Sequence, residues 1–290
     1  MIVICTPTGQ IGRQTLTRVL DSGAKVRVIA RDPSRIAPED RERVEVVQGS
    51  LADADVLNEA FAGAESVFWL LPSDPTTDSV EDNVRRLAKP LADAVTRQNV
   101  KRLVYVAGLG HRENSDAEAT GRLLDELIEK TGVDSRVLRM PAFMENLLWQ
   151  AESIKRQGMF FYPVDGDRKL PSCATRDIAD AAARLLLDGS WTGQDYVPVL
   201  GPEDLSYNDM AGIISEVTGT PVRYQQVPAE AYKANLMKYG MAEASAEWLV
   251  NLLTAIDGGL YNTEPRTPQA TTPTSFRQFC EEVLKPAIVG

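Results

Sequence analysis

The stretch Ile2-Val3-Ile4-Cys5-Thr6-Pro7-Thr8-Gly9-Gln10-Ile11-Gly12-Arg13 decides the architecture. Its first four residues are apolar and read as a buried strand, and the glycine-spaced turn after them opens a helix. A turn of this kind lets backbone N–H groups approach a pyrophosphate, while the helix N-terminus adds partial positive charge. Gly9 allows that approach, and Gly12 allows the helix to pack tightly on the strand. Thr6 stands where the usual pattern has its first glycine, so a Cβ must be accommodated in the turn. A plain strand-to-helix turn, with glycines that serve only packing, explains the same residues without a ligand.

Outward from this turn the rhythm repeats. Apolar runs at residues 2–5, 26–30, 44–47, 67–71 and 103–107 alternate with helical patterns. Val84, Leu87, Ala88, Leu91 and Val95 share one helix face, as do Leu123, Leu124, Leu127 and Ile128. Strand and helix in alternation mean βαβ units, hence a parallel sheet covered on both faces. Right-handed crossovers make the doubly wound α/β arrangement the economical topology.

After Pro141 the rhythm breaks. Residues 158–176 are rich in Pro, Gly and charge and read as loop with short strands. Helices are expected at 177–187, 208–218, 229–239 and 244–255, with strands at 197–200 and 222–226. A tail rich in proline and threonine precedes a last helix at 276–284. The expected division is 1–150 for a dinucleotide-binding domain and 151–290 for a smaller C-terminal α/β cap, interleaved with the sheet domain and not independent of it.

The second strand ends in Ala30-Arg31-Asp32-Pro33. A residue about twenty positions beyond the glycines should meet the adenosine ribose. An acid there accepts from the ribose hydroxyls, whereas an arginine pairs with a 2′-phosphate. Arg31 at the strand tip, with Arg35 one turn on, favours NADP(H) over NAD(H); Asp32 argues the other way. Arg31 is equally readable as a solvated residue at a strand end.

Composition narrows the remaining choices. The chain has 290 residues, 41 acidic against 31 basic side chains and a net charge of −10. That balance, with no dense Lys/Arg run, argues against direct nucleic-acid binding. The single histidine, His111, excludes a multi-histidine metal site and leaves little room for a Ser-His-Asp triad. No metal is expected. Cys5, Cys173 and Cys280 fit no zinc or disulfide spacing, which favours a reducing compartment. The N-terminal stretch lacks a basic region ahead of its short apolar run, and the longest apolar run falls far short of the ~20 residues that span a bilayer. The expectation is a cytoplasmic protein with no membrane attachment.

The glycine loop with Arg31 and six further segments in order resemble the NmrA-like family of atypical short-chain dehydrogenase/reductases. The six are Val46-Val47-Gln48-Gly49-Ser50-Leu51-Ala52-Asp53, Gly63 to Pro72, Val100 to Ala107, Arg139-Met140-Pro141-Ala142-Phe143-Met144-Glu145-Asn146, and the downstream pair Ala174 to Ala179 and Gly201 to Tyr207. Ser50 departs from the family's usual acid. The resemblance implies a Rossmann-type doubly wound sheet with a smaller cap. It also implies either an NADP(H)-dependent quinone or dye reductase, or a redox sensor that binds the dinucleotide without turning it over. By the same resemblance, Thr8, Gly9, Gln10, Ile11 and Arg31 would hold the phosphates. Leu71, Pro72, Ala107 and Gly108 would line the middle of the cofactor. Pro141, Phe143 and Met144 would sit by the nicotinamide, with Asn146 just beyond.

The usual proton donor is absent. None of the eight tyrosines has a lysine four positions on, and Ala107-Gly108 replace the Ser or Thr expected after the fifth strand. No lysine follows that strand between Gly108 and Arg122. His111 is the remaining catalytic candidate, able to donate near neutrality; a solvated loop residue is the bland reading. Phe143, Met144, Trp149, Phe160, Phe161 and Tyr162 form an aromatic, sulfur-containing series suited to a planar aromatic or quinone-like molecule. Core packing accounts for them equally well. Three readings therefore stay open: an NADP(H)-dependent reductase of a small planar acceptor; a non-catalytic NADP(H) sensor acting through a homodimer or a regulatory protein partner; and a cofactor-degenerate cleft used for redox-neutral cyclisation or isomerisation.

Overall fold

A computed structural model describes residues 1–110 and 119–289. The first half runs β1 (Ile2–Cys5), α1 (Gln10–Asp21), β2 (Val26–Ala30), α2 (Pro38–Arg41), β3 (Val44–Gln48), α3 (Ala54–Phe61), β4 (Ser66–Trp69), α4 (Val80–Arg97), β5 (Arg102–Gly108), α5 (Ala119–Glu129) and β6 (Asp134–Met140). The chain continues through β7 (Ala142–Phe143), α6 (Ala151–Gln157), β8 (Met159–Tyr162), β9 (Leu170–Cys173), α7 (Thr175–Leu187), β10 (Gln194–Pro198) and β11 (Asp204–Leu205). It ends with α8 (Tyr207–Thr218), β12 (Arg223–Gln226), α9 (Ala229–Lys238), α10 (Glu243–Asp257), α11 (Phe276–Phe279) and α12 (Lys285–Val289).

The main sheet has seven strands in the order β3-β2-β1-β4-β5-β6-β10, all parallel. This is a Rossmann-type doubly wound sheet, with its switch point between β1 and β4. Period-two alternation sends successive side chains to opposite faces. Val3 and Cys5 join Leu57, Leu87, Leu91 and Ile128 under α3, α4 and α5. Ile2 and Ile4 join Leu16, Val19, Ile178 and Ala182 under α1 and α7. Both faces of the central strands β1, β2, β4 and β5 are therefore dry, which is why those strands read as apolar runs, while the edge strands β3 and β10 are partly exposed.

The segment of chain after residue 174 returns to this sheet. Helix α7 packs beside α1 through Ile178, Ala181 and Ala182, and β10 adds to the outer edge of β6. Two small sheets complete the fold, β11-β9-β7 and β12-β8. Helix α8 and the last helices pack on these around Phe160, Met210, Ile214, Phe276 and Phe279. The proline-rich tail is tied down where Thr274 donates to the buried Asp177 through its N–H (3.1 Å) and its hydroxyl (2.7 Å).

One strand lacks the continuous apolar run seen in the other central strands. β6 reads Asp-Ser-Arg-Val-Leu-Arg-Met, and Arg139 within it is 4% exposed. Its guanidinium is neutralised by Asp125 on α5 at 2.5 Å, and the Tyr105 hydroxyl of β5 donates to the other carboxylate oxygen at 2.9 Å. A buried charge is tolerated here because its partner arrives from another element. The last helix also runs further than its apolar pattern, to Val289, through a π-helical turn at Cys280–Leu284.

Among the described residues no helix is long and apolar enough to cross a membrane, and no group of three or more His, Cys, Asp or Glu is placed to hold a metal ion. Asp125→Ala leaves Arg139 charged and unpaired in the core. The expected loss is about 3–5 kcal/mol of stability, read as a lower urea midpoint with unchanged m-value.

Candidate functional site

The glycine turn sits at the C-terminal end of β1, and its geometry is unusually tight. Thr6 adopts φ 72°, the left-handed conformation that the glycine of the common pattern would adopt without strain. Its carbonyl oxygen accepts from the Gly9 N–H at 3.1 Å and points at Gly12, where a Cβ would lie only 1.9 Å away. Gly12 is therefore dictated by backbone contact. Gly9 precedes α1 in extended conformation, and no side chain caps the helix. The first-turn N–H groups of Gln10 and Ile11 have no intrahelical acceptor and point beyond the strand ends. The Thr6 hydroxyl is buried without a hydrogen-bond partner. An uncapped helix start, a turn closed to a Cβ at Gly12 and an orphaned hydroxyl fit the phosphates of a dinucleotide.

The residues expected to follow the cofactor lie along this same edge of the sheet. Arg31 follows β2, Leu71 and Pro72 follow β4, Ala107 and Gly108 end β5, and Pro141 and Phe143 follow β6. The exposed Arg31 guanidinium has no hydrogen bond or ion pair among the described residues. Asp32 is engaged locally: it accepts from the Ser34 N–H at 3.0 Å and the Ser34 hydroxyl at 2.6 Å, which holds its carboxyl below the usual carboxylate range. Asp74, beyond β4, accepts from Thr76 in the same manner; those bonds lower its pKa, with weaker attraction from Arg86 and Arg31.

Beside the end of β6 a cavity of about 300 Å³ opens between β7, β9, α8, α9 and α10. Phe143, Met144, Asn146 and Trp149 line it, as does Tyr162. Trp149 is 91% exposed and stands at the rim, an uncommon position for the largest apolar side chain. Phe161 does not line the cavity. It packs against the cluster around Val164 and Leu253, and its carbonyl accepts from Gln150 at 3.0 Å. Phe160 is wholly buried in the adjoining core. His111 lies outside the described residues.

Several wall residues carry no sequence signal of their own. Tyr207, Tyr232 and Tyr261 come from the start of α8, from α9 and from the turn after α10, and they converge only through tertiary packing. Their helical spacing marks them as core-facing and no more.

A hydrogen-bond relay joins the two halves of the site. Gln14 on α1 donates to the Thr175 hydroxyl at 3.1 Å, and that hydroxyl donates to Glu145 at 2.6 Å. The Thr175 N–H also donates to the Glu145 carboxylate, at 3.0 and 3.1 Å. Glu145 lies between the cavity residues Met144 and Asn146, so the helix of the glycine turn is linked to the cavity wall. Two motifs separated by some thirty residues thus meet as one contact.

The chain matches the NmrA-like family over residues 1–271 and belongs to it. An NAD(P)H azoreductase of Xenophilus azovorans is 29% identical over 288 residues, 97% of either chain. A (4-alkanoyl-5-oxo-2,5-dihydrofuran-3-yl)methyl phosphate reductase of Streptomyces griseus is 32% identical over 251 residues, covering 85% of this chain and 84% of that one. Among solved structures, the NADPH complex of an Escherichia coli NADPH-dependent quinone oxidoreductase superposes with a TM-score of 0.76 at 22% identity, over 93% of this chain and 97% of that one.

Gly12→Ala places a methyl group against the Thr6 carbonyl, so α1 must move. The expected result is a lower melting temperature together with at least tenfold weaker dinucleotide binding by calorimetry, whereas Gly9→Ala, whose Cβ would lie 3.6 Å from the nearest atom, leaves stability within about 1 kcal/mol. Trp149 at the rim is expected to report on the cavity: a planar quinone quenches tryptophan emission, and Trp149→Phe removes most of that quench.

Proposed function

We propose that this protein is an NAD(P)H-dependent reductase that passes reducing equivalents to a small planar acceptor such as a quinone, with NADP(H) preferred over NAD(H). The observation that carries this reading is an apolar, aromatic cavity that begins at Phe143 and Met144, on the same sheet edge as the glycine turn. The reductase names of the relatives support it. A sensor that only bound the dinucleotide would have no use for a cavity of this size beside the nicotinamide end.

The chain's own residues supply binding and orientation. Within Thr8 to Ile11, the N–H groups of Thr8, Gln10 and Ile11 would hold the pyrophosphate at the α1 terminus, aided by the helix dipole, while the Gly9 N–H donates to the Thr6 carbonyl. Arg31 would pair with a 2′-phosphate, since Asp32 is occupied by Ser34 and the Arg31 guanidinium makes no hydrogen bond or ion pair among the described residues. Leu71, Pro72, Ala107 and Gly108 would flank the middle of the cofactor. Pro141 and Phe143 would wall the nicotinamide, which supplies hydride when bound. Met144, Asn146 and Trp149 would hold the acceptor flat, with Asn146 the polar member. No Tyr-x-x-x-Lys pair exists in the chain to deliver a proton. The acceptor must therefore be electrophilic enough to need little acid assistance, and solvent or His111 protonates the product. Rate enhancement then rests on proximity and on exclusion of water.

NADPH oxidation with a panel of benzo- and naphthoquinones tests the reading: turnover above background with at least one is expected, and none with any would refute it. Arg31→Ala is expected to weaken NADPH about 10- to 100-fold, as the loss of a charge-assisted contact, and NADH less than about threefold. Equal weakening of both would remove Arg31 as the discriminator.

A further inference from the structure

The cavity wall is polar in one particular manner: it offers hydroxyls and amides but no charge. Among the described residues that line it, none is Asp, Glu, Lys, Arg or His. Three cations on the bordering segments are paired with acids: Lys169 with Asp209, Arg168 with Asp257 and Arg266 with Asp204. Glu145 is spent on Thr175.

The hydroxyls belong to a row of packed rings. Tyr162 stacks on Tyr207 with centroids 5.0 Å apart and planes 23° apart, and Tyr207 stacks on Tyr224 at 4.9 Å and 18°. Tyr232 leans on Tyr162 at 5.9 Å. Tyr224 donates to the carbonyls of Tyr162 and Val164. The Tyr207 and Tyr232 hydroxyls make no hydrogen bond among the described residues, yet neither is sealed from the cavity. Burial pushes both above the usual phenol range, Tyr232 up to about 12, so both remain neutral donors at physiological pH.

From this wall we infer that the cavity selects uncharged planar acceptors, held against the tyrosine wall with a carbonyl oxygen accepting from Tyr207 or Tyr232, and that it excludes analogues bearing a sulfonate, carboxylate or phosphate. The inference rests on the proposed acceptor site and names its substrate class. A buried anion here would lose its hydration and find no cation among the described residues. A neutral carbonyl loses far less and recovers it from an unpaired hydroxyl. The net charge of −10 adds repulsion on approach, which salt screens; the desolvation penalty inside the cavity is not screened.

The test compares 1,4-naphthoquinone with its 2-sulfonate on the full-length protein, by calorimetry with NADP⁺ present and by kcat/KM with NADPH, at 0.15 and 0.5 M salt. The sulfonate withdraws electrons and is intrinsically the easier to reduce, so a lower kcat/KM for it reports exclusion and not chemistry. The expected discrimination is about fiftyfold or more in favour of the neutral quinone, persisting at high salt. Tyr207→Phe combined with Tyr232→Phe is expected to weaken the neutral quinone about fivefold or more. Leu236→Lys, at a half-buried wall position, is expected to narrow the discrimination about tenfold by supplying the missing cation. Sulfonate binding within threefold of the neutral quinone, or a Leu236→Lys variant that binds the neutral quinone but leaves the ratio unchanged, overturns the inference. Equal reduction of both quinones would sink the charge selection and leave the reductase reading standing. Selective binding of the neutral quinone without turnover would do the reverse.

Discussion

The contact between the Thr6 carbonyl and Gly12 sets the position of everything that follows in the site. With 1.9 Å between that oxygen and the place a Cβ would occupy, α1 can sit against the turn only because residue 12 has no side chain. The helix is thereby pressed onto β1, its uncapped start aimed across the strand ends, and its buried face becomes the seat for α7. Thr6 meets the same constraint from the other side by accepting a left-handed backbone at a cost of about 1–2 kcal/mol. Strain of this size at a ligand-binding turn is held in place by the surrounding packing.

From that helix the constraint passes outward through hydrogen bonds. Gln14 reaches Thr175, and Thr175 fixes Glu145 beside the cavity residues Met144 and Asn146. The C-terminal half is therefore built into the sheet domain at several places: α7 on α1, β10 on β6 and the tail on Asp177. The glycine turn at one end and the cavity wall at the other are thus joined through one frame.

Much of the frame was readable in the linear pattern because its central strands are buried on both faces and hence apolar. Residues 2–5 and 26–30 are observed as read, and 103–107 lies within β5. β6 escaped because Arg139 interrupts its pattern, and the charge is explained only by Asp125 from a helix that precedes it in sequence. The aromatic series after Phe143 divided in space: Trp149 and Tyr162 face the cavity, while Phe160 and Phe161 pack in cores. Alternation puts Phe160 and Tyr162 on one face of β8 and Phe161 on the other, but which of them meets a cavity is set by what packs at each position.

By itself the sequence determined the doubly wound sheet, the glycine turn and the family, because each depends on contacts within one strand–helix unit or on short motifs in order. Only the tertiary structure decided the character of the cavity. Tyr162, Tyr207, Tyr232 and Tyr261 belong to four separate elements, and no spacing along the chain relates them. The pairing of Lys169, Arg168 and Arg266 away from that wall is likewise a matter of where distant acids arrive. Local steric rules are written in adjacent residues, whereas a binding site's charge is a sum over side chains that meet only after folding.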